Sequence, residues 1–264
     1  MLISYIEKLN NMIRSYLPSF ISIPLFGDRE RYGKTPWEDD KDWQHWLSLY
    51  PQVYFETQRK GGIQRLINNK GYDLLKTLDL QDKIVAEIGP GGGYHFEFFK
   101  GSPKHYTAID VCENFLSVLQ DKAVERAIPH QFYLLDHGTS SLPLETGSQD
   151  IIISFYSFEH LNPLDSWIKE IHRILRPGGI FAGAVPVEGG LAWGLGRYLT
   201  SRCILRKKFG LDIKKIVCWE HPNMIDEMVS GLISNFQTVT VSKFPFPFLP
   251  FDFNLVAKFI AYKK

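Results

Sequence analysis

Four glycines fall within five residues, Gly89-Pro90-Gly91-Gly92-Gly93, directly after the short apolar run Ile84–Ile88. Where side chains are missing, a ligand can lie against the main chain. Glycine also permits the positive φ that a tight turn needs. A turn of this kind at the carboxyl end of a strand opens the crevice in which open α/β sheets take their ligands. Three acids stand in matching places. Glu87 lies inside the run two residues before Gly89, an odd position for a carboxylate that bonds nothing. Asp110 closes the next apolar run, 21 residues after Gly89, where an acid can accept both hydroxyls of a ribose. Asp136 closes the third run, and His137 follows it. Any one of these acids is as easily a solvated loop residue. Three at the ends of successive strands point to one nucleoside-sized crevice.

A second group follows the fourth apolar run, in Phe155-Tyr156-Ser157-Phe158-Glu159-His160. His160 is the candidate general base, one turn past the strand and beside Glu159. The same Glu-His pair would equally order a loop or cap the next helix. Tyr156 could orient an acceptor or set an electron-rich ring near a cation, and packing explains it as well. His95 either faces the crevice or starts a helix, while His45, His130 and His221 read as surface or core residues. No metal site is expected, because the histidines lack the i, i+4 pairing with glutamate found in zinc helices. Gly33-Lys34-Thr35 is not a P-loop, because its first glycine would fall at Asp28.

The elements that must hold these residues alternate. Candidate strands are Ile84–Ile88, Tyr106–Ile109, Phe132–Leu135, Ile151–Phe155 and Ile180–Val185. Helical patterns lie between them at Tyr94–Lys100, Glu113–Ala127 and Leu164–Leu175. Short apolar strands alternating with helices predict a parallel sheet covered on both faces. In the helix after strand four, Asn162-Pro163 marks the start. Trp167, Ile168, Ile171, Ile174 and Leu175 form its apolar face, and Arg176-Pro177-Gly178-Gly179 stops it. Near the end, Glu220–Asn235 reads as one helix. Thr238–Ser242 and Asn254–Tyr262 read as strands with no helix between them, so they must pair antiparallel.

The ordered set of motifs resembles the class I S-adenosylmethionine-dependent methyltransferases, within them the small-molecule, type 11-like kind. The resemblance rests on Glu87 to Gly93, Tyr106 to Asp110, Leu142 to Leu161 and Glu170 to Gly179, and covers about residues 71 to 185. It implies an α/β fold: a Rossmann-like doubly wound sheet of seven strands, mostly parallel, with a C-terminal antiparallel strand. It implies S-adenosyl-L-methionine as cofactor. Gly89, Gly91 and Gly93 would pass close to its methionine part, with Glu87 beneath. Asp110 would hold the ribose. Asp136, with His137 nearby, would meet the adenine edge. Phe155 and Tyr156 would line the pocket. A nicotinamide oxidoreductase shares the glycine turn and the acid, but the third glycine of its G-x-G-x-x-G would fall at Tyr94. A non-catalytic protein with the methyltransferase fold is the remaining alternative.

The flanks are matched to no family. Residues 1–70 are expected to be a helical N-terminal extension or lid, with Leu2, Ile6, Leu9, Ile13, Tyr16 and Leu17 as one stripe that Pro18 ends. Trp43, Trp46 and Tyr50 share a second helical face. The domain proper would be 71–264, with 186–235 as a variable substrate-side insertion. There Gly189, Gly190, Gly194 and Gly196 suggest a pliable loop. Arg197, Arg202, Arg206, Lys207 and Lys208 form a basic run, read as a solvated face or as a site for an anionic acceptor or membrane surface. The chain carries 30 Lys and Arg against 29 Asp and Glu, a net charge of +1. That balance gives no field for a nucleic-acid backbone. The expected partner is a small molecule, sugar or lipid-linked acceptor; a nucleic acid is disfavoured, and peripheral membrane contact is open but not favoured. Three dispersed cysteines suggest no disulfide framework, and Glu7, Lys8 and Arg14 break any signal-peptide core, so a cytoplasmic location is expected.

Overall fold

The computed structural model describes residues 11–60, 62–136 and 138–264. Seven strands are present: β1 Ile84–Ile88, β2 His105–Asp110, β3 His130–Leu134, β4 Gln149–Phe155, β5 Leu175–Pro186, β6 Thr238–Phe244 and β7 Val256–Tyr262. They form one sheet in the order β3-β2-β1-β4-β5-β7-β6. β1 to β5 pair in parallel, and β7 runs antiparallel between β5 and β6. This is the expected doubly wound sheet with one reversed strand. From β1 the chain winds outward through β2 and β3, then returns to place β4 on the other side. The carboxyl ends of β1 and β4 therefore flank the switch point where a crevice opens. β4 is buried along its whole length, with Ile151, Ile153 and Phe155 in one core and Ile152 in the other, as the two-residue period of a strand requires.

The helices are α1 Ser19–Phe26, α2 Lys41–Lys60, α3 Ile63–Tyr72, α4 Glu113–Glu125, α5 Leu164–Ile174, α6 Leu191–Leu199, α7 Ser201–Phe209, α8 Ile213–Glu220 and α9 Ile225–Asn235. α5 and α9 cover one face of the sheet, and α3 and α4 cover the other. Trp167, Ile168, Ile171 and Ile174 are the buried stripe of α5. Each such side chain contributes about 1.5–3 kcal/mol by leaving water. The sequence boundary at residue 70 falls inside α3, whose Ile67 and Tyr72 join the sheet's own core.

Several expectations are corrected. The helix read over Glu220–Asn235 starts later, at Ile225: Glu220 is the last residue of α8, and the chain turns through Pro222 before α9. Asn162 does not cap α5: Pro163 holds the cap position, and the Asn162 amide donates to Thr35 Oγ1 at 3.2 Å. β3 begins at His130, before the expected Phe132. Arg176-Pro177-Gly178-Gly179 ends α5 but lies within β5, bulged between Leu175, paired with Gln149, and Ile180, paired with Ile151. Pro18 ends the N-terminal turn and stands at the N-cap of α1. The glycine-rich stretch after β5 is helical: Gly194 lets α6 close on α1, where a Cβ would meet Phe26 at 2.6 Å. Of the N-terminal stripe, Leu2, Ile6 and Leu9 lie outside the described residues, and Ile13–Tyr16 is a 3₁₀ turn. Among the described residues, no helix is long and apolar enough to cross a membrane.

Candidate active site

β1 delivers the chain into the glycine turn at the switch point. Gly89 and Gly91 hold φ of 67° and 54°, in the left-handed region. A Cβ on Gly89 would collide with the Ser157 hydroxyl after β4, and one on Gly91 would collide with the Tyr54 hydroxyl of α2. The turn is thus pinched between two neighbours and tolerates no side chain at either position. Gly93 completes it and opens the 3₁₀ turn Tyr94–Phe98. Glu87 is fully buried beneath. One carboxylate oxygen accepts from the Tyr106 hydroxyl and lies 2.7 Å from His95 Nε2, which leaves Oε1 without a protein partner. His95 therefore belongs to the floor of the site, stacked near Phe155 with ring centroids 6.2 Å apart.

The turn lines one end of a cavity of about 490 Å³. Asp110, at the end of β2, faces it. Its Oδ1 accepts from the Cys112 amide at 2.9 Å and its Oδ2 from the Gly91 amide at 3.4 Å. Burial, only partly offset by these amides, pushes its pKa up to about 6. The carboxylate keeps lone pairs for a ligand's hydroxyls. Phe155 also lines the cavity. Asp136 does not: its side chain is exposed, and Leu135, Gly138 and Thr139 form the wall after β3. His137 lies outside the described residues.

Tyr156 has φ of 56°, rare for a bulky residue. Its hydroxyl donates toward the Ile67 and Asn68 carbonyls of α3, at 3.0 and 3.1 Å. Burial raises its pKa well above the usual phenol value. The ring lines the cavity while its proton is engaged with the main chain, so it is placed as a wall and not as an acid or base.

His160 also lines the cavity. Its Nδ1 donates to the Glu220 carbonyl oxygen, which fixes the tautomer and leaves Nε2 with a lone pair. Burial, aided by the charge on His221, lowers its pKa to about 4, so the imidazole is neutral at physiological pH. Glu159 is buried, with Oε1 3.9 Å from His160 Nε2 and Oε2 unpaired. Burial pushes its pKa up to about 7. An acid whose folded pKa exceeds its unfolded value costs stability as pH rises, from none below pH about 4.5 to about 3 kcal/mol above pH 7. Glu159→Gln is therefore expected to raise the melting temperature at pH 8 and leave it unchanged at pH 4. Equal shifts at both pH values would refute the assignment.

The residues after β5 hold His160 in place. Glu188 Oε1 accepts from Trp193 Nε1 at 2.7 Å and from Arg197 Nη1 at 2.6 Å, and pairs with His221 Nδ1 at 2.7 Å. Arg197 reaches on to Glu220 at 3.1 Å. Burial and Arg197 pull the His221 pKa down, but Glu188 and Glu220 outweigh them and hold it at about 9. Burial opposes ionisation of Glu220 as well, but His221 and Arg197 prevail and hold its carboxyl at about 2. This fully charged cluster clamps the end of α8 whose carbonyl orients His160. Arg197 is thus a buried partner and not part of a solvated basic face. Arg202 is buried too, donating to the Pro24 and Leu25 carbonyls. No lysine or arginine among the described residues lines the cavity. Trp43 and Trp46 from α2, Trp167 from α5 and Trp219 from α8 line it. Tyr54 of α2 covers the glycine turn, its hydroxyl accepting from the Gly92 amide at 3.2 Å.

Residues 86–183 match the methyltransferase domain family. Among curated relatives, human mitochondrial arginine-hydroxylase NDUFAF5 is 26% identical over 143 residues, 54% of this chain and 39% of that protein. A probable S-adenosylmethionine-dependent methyltransferase of Mycolicibacterium smegmatis is 30% identical over 105 residues, 39% of this chain and 37% of that protein. The chain thus spans about two fifths of the length of these relatives. Of solved structures, a SAM-dependent methyltransferase from Thermotoga maritima superposes with a TM-score of 0.53 at 16% identity, over 82% of this chain and 99% of that one.

Proposed function

Since the chain carries a class I S-adenosylmethionine-dependent methyltransferase domain, we propose that it transfers a methyl group to an oxygen or nitrogen of a small, uncharged, largely apolar molecule, with His160 taking the acceptor's proton. The observation that carries this reading is a neutral imidazole of fixed tautomer lining the same cavity as the glycine turn and Asp110. The chain's groups fit the cofactor. A buried carboxylate faces the place for ribose hydroxyls, Glu87 Oε1 lies unpaired beside the turn, and the turn has no side chain to obstruct a ligand. When bound, S-adenosylmethionine supplies a methyl already activated on a sulfonium. Asp110 accepts the ribose hydroxyls. Tyr54, already accepting from Gly92, has its own proton to donate into the cavity. The tryptophans exclude water and align the acceptor, and such alignment alone can supply several kcal/mol. His160 Nε2 receives the proton that a hydroxyl loses on attack, or that a neutral amine sheds once it has been methylated. An anionic acceptor is disfavoured because no lysine or arginine among the described residues lines the cavity, while Asp110, Glu113 and Glu220 do.

Titration calorimetry with S-adenosylmethionine, followed by mass spectrometry of candidate apolar alcohols, phenols and amines, tests this. Binding and a gain of one methyl are expected. Binding of a reduced nicotinamide cofactor in its place would favour the oxidoreductase. Cofactor binding with no transfer to any of a broad acceptor panel would favour the non-catalytic reading.

A further inference from the structure

Three segments far apart in sequence meet on one side of the molecule and turn apolar side chains outward. α6 packs against α1 and against the 3₁₀ turn Phe251–Phe253. The amide of Ile13 donates to the Asp252 carboxylate at 3.3 Å, which ties the N-terminal turn to the same place. α6 buries Trp193 and Gly194 and exposes Leu195, Tyr198 and Leu199, which share a face at i, i+3 and i+4. The outer side of a helix is ordinarily polar. On α1 and before it, Phe20 and Tyr16 are exposed. On the β6–β7 connection Phe246, Leu249 and Phe253 are exposed, and Phe248 is 98% exposed.

Among the described residues of these segments the charged side chains are turned inward, and Lys243, on the strand before the β6–β7 connection, donates to the Leu249 carbonyl. Arg14 pairs with Asp226 at 2.6 Å, Arg197 pairs with Glu188, and Asp252 is buried. Soluble surfaces interleave charge with apolar groups, and a charge-free cluster of large apolar side chains marks a contact surface. Cations stand beside it. α7 packs on α6 and exposes Arg206, Lys207 and Lys208. From Gly189 to Leu211 the chain holds five Lys and Arg and not one acid.

We propose that this face docks on an anionic lipid bilayer. Phe248, Leu199 and Phe20 enter the boundary of the acyl chains, and Arg206, Lys207 and Lys208 meet the headgroup phosphates. Apolar wedges flanked by cations are what an anionic interface binds. A second copy of the chain fits less well, since a two-fold contact sets the patch against itself and brings like charges together. The basic run taken alone did not favour a membrane. What changes the reading is the removal of Arg197 and Arg202 into the interior and the placing of the remaining three cations next to exposed apolar residues.

Flotation of the full chain with phosphatidylcholine vesicles containing roughly a quarter phosphatidylglycerol tests the proposal. The protein should float with these vesicles, and added salt should weaken the binding. Phe248→Ser with Leu199→Ser should reduce binding at least about tenfold. Lys207→Glu with Lys208→Glu should do so on the anionic vesicles alone. Melting temperature and cofactor affinity should stay unchanged in both variants, since none of these side chains touches the cavity. Failure of the unsubstituted chain to float would overturn the proposal. So would a dimer in sedimentation velocity that the Phe248 and Leu199 substitutions dissolve.

Discussion

His160→Ala is expected to lower kcat by roughly a thousandfold, within the range for loss of a positioned base, and to leave S-adenosylmethionine affinity nearly unchanged. Among the described residues His160 makes no hydrogen bond to Asp110 or to the glycine turn, so cofactor binding should register its loss little. Two further readouts separate chemistry from mere packing. Added imidazole should restore part of the rate in His160→Ala, because the substitution opens a space the size of the lost ring. The pH profile should also carry the environment's mark. With its pKa lowered to about 4, His160 stays neutral and able to accept a proton down to about pH 5. The rate limb that reports its protonation should therefore fall near 4, and not at the 6.5 of an ordinary histidine. Retention of full kcat in His160→Ala would end the proton-acceptor role, whatever the cofactor does.

The clamp behind His160 was not legible in the sequence, for a physical reason. Glu188, Arg197, Glu220 and His221 are spread over 34 positions and come together only because α6 and α8 fold back on one another. Pattern reasoning reads neighbours along one element, so Arg197 was grouped with the cations that follow it. A signal did exist. Glu188 continues the apolar run Phe181–Val187, as unusual a place for a carboxylate as that of Glu87. The same limit explains α2. The spacing of Trp43, Trp46 and Tyr50 gave the helix, but not that its next turn, at Tyr54, would cover the glycine turn. Gly194 was read as freedom when it serves close helix packing, because sequence does not tell a glycine that must bend from one that must be small.

What was legible is local and repeated. The strands β1 to β5 announce themselves as apolar runs between turn residues, and their order follows from alternation with helices. That Gly89, Gly91 and Asp110 share one cavity is legible because they stand at strand ends, which sequence locates well. Asp136 shows where that reasoning overreaches. Asp110 is the last residue of β2, whereas Asp136 stands two residues past the end of β3, the edge strand, and is exposed.

Asp110→Ala carries the second large effect: a loss of cofactor affinity of roughly a hundredfold. Two hydrogen bonds from ribose hydroxyls to a carboxylate are worth about 1.5–3 kcal/mol each before the cost of desolvation. That cost has already been met in the folded protein, where burial holds the Asp110 pKa at about 6. The fold should survive, because the variant removes a buried charge whose folded pKa lies above its unfolded one. Above pH 6 that charge opposes folding, and below pH about 3.8 the two states are equally protonated. The same titration gives binding its own pH dependence. The carboxylate form accepts both hydroxyls, so affinity in the unsubstituted protein should fall as pH drops through about 6. In Asp110→Ala that dependence should vanish along with the affinity. Tyr54→Phe provides the contrast: a smaller loss, of roughly tenfold for one neutral hydrogen bond, with the pH dependence intact. Were both variants to bind as the parent does, the cofactor would have to lie elsewhere in the cavity, and the assignment of the glycine turn as its cradle would fall with it.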